Sequence, residues 1–248
     1  ANTYSGGTVV NQGTLDITGG NAAALGATTG GVTVNPFGTL SLGAVTPANT
    51  ITLAGGTLTG TAIPVGILSN NSYGMVTGVL AGTGNLNVNT TGALNLYSAN
   101  TFTASTGTTG VASGTGNGVI PFTGSTTGLA VGMPVSGTNV PANSYITAIT
   151  PGTSITINNN IVTAVGAGTT LTFGSVLTAG TLNLWNNTSL GAAAVNWTIL
   201  GGTIDNTTTG AVTAANPINV AGNFTYQGTQ ALTFSGQTTL TAPATITT

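Results

Sequence analysis

The 248-residue chain has no Lys, Arg, His or Cys, and its only acidic side chains are Asp16 and Asp205. Each absence removes a class of function. Without a cation there is nothing to neutralise the phosphates of DNA or RNA, so nucleic acid is excluded as a partner. The same lack argues against anionic membrane surfaces. No apolar run approaches the roughly 18 residues that a membrane-spanning helix needs, so no membrane insertion is expected. Without Cys there is no disulfide framework and no thiol chemistry. Zinc has neither His nor Cys to bind it. A serine nucleophile has no His or Lys base, and glycine-rich pieces such as "GTGNG" lack the lysine of a phosphate loop. Trypsin has no cleavage site whatever the fold, and lysine-based isopeptide cross-links cannot form within the chain. A net charge of −2 gives little mutual repulsion, and near-zero charge favours association. Such a surface suits a segment anchored in a larger chain or a subunit that assembles. The start, "ANTYSGG", has neither Met nor a signal-like apolar stretch, so a leader removed or a segment of a longer protein is expected.

What is present is apolar residues at 40% together with abundant Thr, Asn, Ser and Gly. That balance is unlike a disordered chain, which combines low hydrophobicity with high net charge. Val, Ile, Leu and Thr alternate over four to six residues and are then punctuated by Gly, Asn or Pro, which reads as short strands. Helical spacing is nowhere sustained; "NAAALG" from Asn21 is the best helical candidate, and Gly26 ends it.

The strands repeat. Val32-x-Val34-Asn35-x-x-Gly38-x-Leu40-x-Leu42 has the spacing of Leu86-x-Val88-Asn89-x-x-Gly92-x-Leu94-x-Leu96, and Val10-Asn11-x-Gly13-x-Leu15-x-Ile17 is the same with one turn residue fewer. Period-two alternation places the apolar set on one face, while Asn and Gly supply the turn. Corners of the Gly-Thr-Leu type begin at Gly13, Gly38, Gly56, Gly180 and Gly202, steps that suit the coil of a parallel β-helix. Inward Leu, Val and Ile would form the core, and outward Thr and Asn would form ladders. A sandwich of short antiparallel strands remains the alternative.

The stretch "NTYSGGTVVNQGTLDI", with "ALG" at Ala24 and then "GGVTVNPFGTLSL", resembles the autotransporter-associated β-strand repeat of bacterial surface proteins. A second copy starts at Asn100 and resumes at "AGTLNLWNNTSLG", Ala179 to Gly191. Between them, "TTGLAVGMPVSGTNVPANSYITAITPGTSITINNNIVTAVGAGTTLTF" is similar to small all-β modules of phage-tail and bacterial surface proteins. The resemblance implies an all-β fold: a right-handed parallel β-helix (solenoid) with an inserted small β-domain, displayed outside a bacterial cell. Rungs are expected over 1–102 and 176–248, with the inserted module at 103–175. The resemblance brings no catalytic residues, and no translocator barrel of that family is expected within these 248 residues.

Asp16 and Asp205 are the only candidates for acid–base work. They sit in matching "GTLD" and "GTID" motifs, and a glycosidase pair would need them within about 5–9.5 Å. Alternation instead puts both outward at a corner, capping turns as Asn95 and Asn183 do in sister motifs. No catalytic, cofactor or metal site is therefore expected, since two lone carboxylates cannot build a calcium cage. Tyr4, Phe102 and Tyr226 recur near "NT" or "FT" elements, as in a repeated structural slot. Trp185 and Trp197 are expected in core or corner packing. Sequons at Asn70, Asn89, Asn186, Asn187, Asn196, Asn206 and Asn223 are mostly what an Asn- and Thr-rich chain produces by chance. The expected function is structural: a segment of a bacterial extracellular fibre or surface layer, associating head-to-tail with copies of itself. The ends support this, because joining them gives "ATITTANTYSGG", which continues the internal pattern. The second expectation is an adhesin whose insertion binds surface glycans.

Overall fold

The computed structural model describes residues 1–122 and 125–248; residues 123 and 124, within the expected insertion, lie outside the described residues. The chain is a parallel β-solenoid. Nine successive strands stack in one unbroken path, from Thr8–Val10 through Val32–Val34, Ile51–Thr59, Tyr73–Val76, Asn87–Leu96, Ser175–Leu184, Trp197–Ile199 and Ile218–Val220 to Thr238–Leu240. Every pairing along that path is parallel. The antiparallel sandwich is thereby ruled out for the main body. Among the described residues the only helical piece is a 3-10 turn at Val65–Ile67. The helical candidate at Asn21 forms turns instead: its side chain accepts the Ala23 N–H (2.9 Å) and its carbonyl accepts the Ala24 N–H (2.9 Å).

Each coil has three flanks. The first carries the "VTV"-type strands and the second the "GTLS"-type strands. The third is mostly turns, with short parallel pairs such as Ile63–Pro64 on Leu80–Ala81 and Val212–Ala214 on Leu232–Phe234. Partners one coil apart are 24 residues distant for Thr8 and Val32, 19 for Val32 and Ile51, and 21 for Trp197 and Ile218. Alternation fills the interior. Val34, Leu53, Leu40, Leu58, Leu96 and Leu184 are completely buried, and each such side chain contributes about 1.5–3 kcal/mol by leaving water.

The inward columns follow a register that the repeats alone do not reveal. Motif alignment pairs Leu40 with Leu94, but the ladder runs Leu15–Leu40–Leu58–Val76–Leu96–Leu184. One irregularity lies at the pairing of Ile51–Thr59 with Tyr73–Val76, where a step of three residues (Ala54 to Thr57) opposes a step of two (Tyr73 to Met75), and the offset lengthens again from 18 residues (Leu58 to Val76) to 20 (Val76 to Leu96) at the next coil. A net slip of two positions against the motif keeps every side chain on its own face, whereas a slip of one would turn the core outward.

A second body interrupts the solenoid between the third flank of the fifth coil and the first flank of the sixth. Its six-stranded antiparallel sheet begins at Ser105–Thr108 and ends at Thr170–Phe173, and these two strands pair with each other, Ser105 opposite Phe173. Entry and exit therefore lie side by side. In the first coil the same corner is only Ser5-Gly6-Gly7. The module has its own core, including Ile120, Phe122, Met133, Ile146, Ile155 and Phe173. It docks where Val176, an outward residue of the sixth coil, and Leu200 join that core. Gly132 makes the approach possible: a Cβ there would meet Leu200 Cδ1 at 2.3 Å and Val176 Cγ2 at 2.8 Å.

Candidate functional site

The two carboxylates are far apart and differently housed. Asp16 is exposed, and its Oδ1 accepts the Thr18 N–H at 2.9 Å, the local cap expected of Asp at a corner. This hydrogen bond, first, and a further one from the Thr18 side chain hold its carboxyl below the ordinary value of 3.8. Asp205 departs from expectation: it is completely buried. It does continue the outward column of Asn95 and Asn183, but the segment after Tyr226 folds over it. Its carboxylate accepts the N–H groups of Asn206 (2.9 Å) and Thr229 (3.1 Å) and the Thr229 hydroxyl. The strands bearing the two Asp are six ladder steps apart, about 29 Å at the usual strand spacing, and the two side chains occupy different columns. They are not brought together as an acid–base pair.

The outward Asn residues form the expected ladders. Asn183 Nδ2 donates to Asn95 Oδ1 (2.8 Å), Asn95 Nδ2 donates to the Gly74 carbonyl (2.8 Å), and Asn35 Nδ2 donates to Asn11 Oδ1 (2.7 Å). A different set of asparagines escaped the repeat reading. Asn49 and Asn216 are buried at the end of the third flank. Asn49 Nδ2 reaches the carbonyls of Leu25 (3.4 Å), Ala27 (2.9 Å) and Gly30 (2.8 Å), and Asn216 Nδ2 those of Leu190 (3.3 Å), Ala192 (2.9 Å) and Val195 (3.1 Å). Each binds the turn of the preceding coil to its own. Asn100, in the same kind of position, accepts the Leu80 N–H (2.9 Å) and donates to the Ser189 carbonyl (2.8 Å). The signal was the recurring pair Ala-Asn followed by Thr or Pro, at Asn2, Asn49, Asn100 and Asn216.

The proposed aromatic slot exists for two of its three residues. Tyr4 lies over Gly26 (φ 80°) and Phe102 over Gly191 (φ 87°), where a Cβ would stand 2.6 and 2.8 Å from the respective rings. Tyr226 stands elsewhere, on the second flank of the eighth coil, its hydroxyl donating to the Gln230 carbonyl. Desolvation, and then the negative charge of Asp205, push its phenol up from 10.0. Trp197 is buried in the core, its Nε1 donating to the Leu190 carbonyl (3.0 Å). Trp185 packs on Tyr97 of the previous coil, ring centroids 4.3 Å apart. Of the sequons, Asn206 is fully buried, while Asn70, Asn89, Asn187 and Asn223 are exposed.

The last coil differs from those within the stack. Leu240 is 64% exposed and Ile246 54%. A concavity of about 200 Å³, lined by Ile204, Phe224, Tyr226, Leu232, Phe234 and Ile246, opens there. It is the solenoid interior seen end-on. Compared with known proteins, the chain matches no family model, no curated protein and no solved structure.

Proposed function

We propose that the chain is a structural segment of a bacterial extracellular fibre or surface layer, extended end to end by further coils of its own kind. The observation that carries this reading is the regular parallel stack itself, nine strands in one path with apolar columns inside and Asn ladders outside. Each coil meets the next through the same kind of interface, which a further coil of the same kind satisfies equally well. Head-to-tail stacking propagates, whereas a two-fold contact closes on itself. The surface resemblance supports the extracellular setting, and the ladders provide cohesion without ion pairs. Electron microscopy of native material tests the proposal. Filaments or stalks with an axial repeat set by this segment are expected; isolated, rounded monomers overturn it.

A further inference from the structure

The corner between the first and second flanks carries an aromatic residue that the coil itself does not need. Asn35-Pro36-Phe37-Gly38 is a tight turn in which the Gly38 N–H donates to the Asn35 carbonyl (2.9 Å). Pro36 suits the first central position, and the second demands positive φ, normally met by glycine. The third coil meets that demand with Gly55 (φ 99°), and Gly13 (φ 74°), Gly180 (φ 79°) and Gly202 (φ 81°) take positive φ at the same corner one position later, in the motif place of Gly38. The second coil instead holds Phe37 at φ 70°, and its side chain is 88% exposed. A bulky residue in this conformation is an outlier, and no burial compensates for it.

Two coils along the same ridge stands Tyr73, 37% exposed. Glycines clear its place. A Cβ on Gly92 would lie 2.7 Å from Tyr73 Cγ; one on Gly55 would lie 2.9 Å from Pro36 Cγ and 3.5 Å from Tyr73 Cε2. Phe37, Pro36 and Tyr73 thus make one apolar rail, roughly 10 Å long at two strand spacings. Beside Tyr73 opens a concavity of about 430 Å³ that includes Asn71, Asn89 and Thr90. Asn89 is shared with a second one, of about 470 Å³, where Asn70 and Asn87 face Val131 of the inserted module. Asn87 Oδ1 is buried there without a partner.

We propose that this ridge binds a neutral, extended polysaccharide. Sugar rings stack on Phe37 and Tyr73, and hydroxyls exchange hydrogen bonds with the amides of Asn71 and Asn89, which offer donor and acceptor together. The ligand is uncharged because no cation exists in the chain and the two carboxylates lie in the first and seventh coils. The module forms only the far wall; its own loops are not the binding surface. This site is separate from the coil ends used in assembly.

The test is calorimetric titration of the native chain, Phe37→Gly and Tyr73→Leu with a β-1,4-glucan hexamer and a β-1,4-N-acetylglucosamine hexamer, with polygalacturonate as charged control. Glycine accepts φ 70° freely, so Phe37→Gly keeps or raises the thermal midpoint while weakening the neutral hexamers about tenfold. Tyr73→Leu keeps bulk without an aromatic face and weakens them likewise, and polygalacturonate binds none of the three proteins. The proposal is overturned if neither neutral hexamer binds the native chain, or if Phe37→Gly leaves their affinity unchanged. It is equally overturned if Phe37→Gly shifts sedimentation of the chain alone and no glycan affinity, which would make the ridge a contact between copies.

Discussion

Replacing Asn216 by Ala removes an amide that reaches three carbonyls of the previous coil; Leu190 keeps the Trp197 Nε1 and Ala192 keeps the Val195 N–H, so the Val195 carbonyl is the one left without a donor. The expected loss is about 1–3 kcal/mol in chemical denaturation, because a buried acceptor is stranded and two others lose a second partner. Asn49→Ala should behave alike, whereas the exposed Asn11→Ala should change stability by less than about 1 kcal/mol. Asp16 and Tyr226 each add a pH dependence, one on the acid side and one on the alkaline side. A lowered carboxyl contributes stability that is fully present above its unfolded value of 3.8 and lost as pH falls through the lower folded one. A raised phenol contributes stability that is present below 10.0 and lost as pH rises through the folded value. Ultraviolet titration should show Tyr226 ionising above 10.0, and Asp205→Asn should bring it partway back, since desolvation is the first cause and the Asp205 charge the second. Sequence alone placed Asp16 correctly and Asp205 on the right face of its strand. It could not show that the chain after Tyr226 returns to cover Asp205, because that cover is a matter of tertiary path and not of alternation.

At the scale of elements, strands and corners were legible because alternation and glycine punctuation are local. Register between coils was not. The motifs align Leu40 with Leu94, yet the ladder joins Leu40 to Val76 and Leu96. Period-two patterns are indifferent to a two-residue slip, so the alternation alone does not decide it. The docking of the module needs small residues at the seam, Gly132 (φ 93°) and Gly174, where a Cβ would meet Pro134 Cγ at 2.6 Å. Gly132→Val should force the sheet off Val176 and Leu200, lowering stability by about 1–3 kcal/mol. Hydrogen exchange should rise at the seam, with little change in the first three coils, because coils contact mainly their neighbours. Unchanged protection at Val176 and Leu200 would show that the contact tolerates a side chain.

The whole molecule is held by apolar columns, backbone ladders and amide rows, with no side-chain cation available for an ion pair. Its thermal midpoint should therefore stay within about 2 °C between pH 5 and 9 and from low salt to 1 M NaCl, as read by circular dichroism. A steep salt dependence would point to a cohesive force that these contacts do not supply. The fold class was readable in the sequence because one small unit repeats and each repetition restates the same geometry; an unrepeated site such as the Phe37 turn leaves no such echo. The corner that hosts the inserted sheet has one further consequence. Its two strands leave and rejoin the coil at adjacent points, so the scaffold's pitch is indifferent to what hangs between them. Three residues serve in the first coil and a folded unit in the fifth. The solenoid thus works as a rail with a socket. Any compact cargo with neighbouring termini can be grafted between Phe102 and Ser175 at little entropic cost, provided a small polar residue replaces the uncovered Val176.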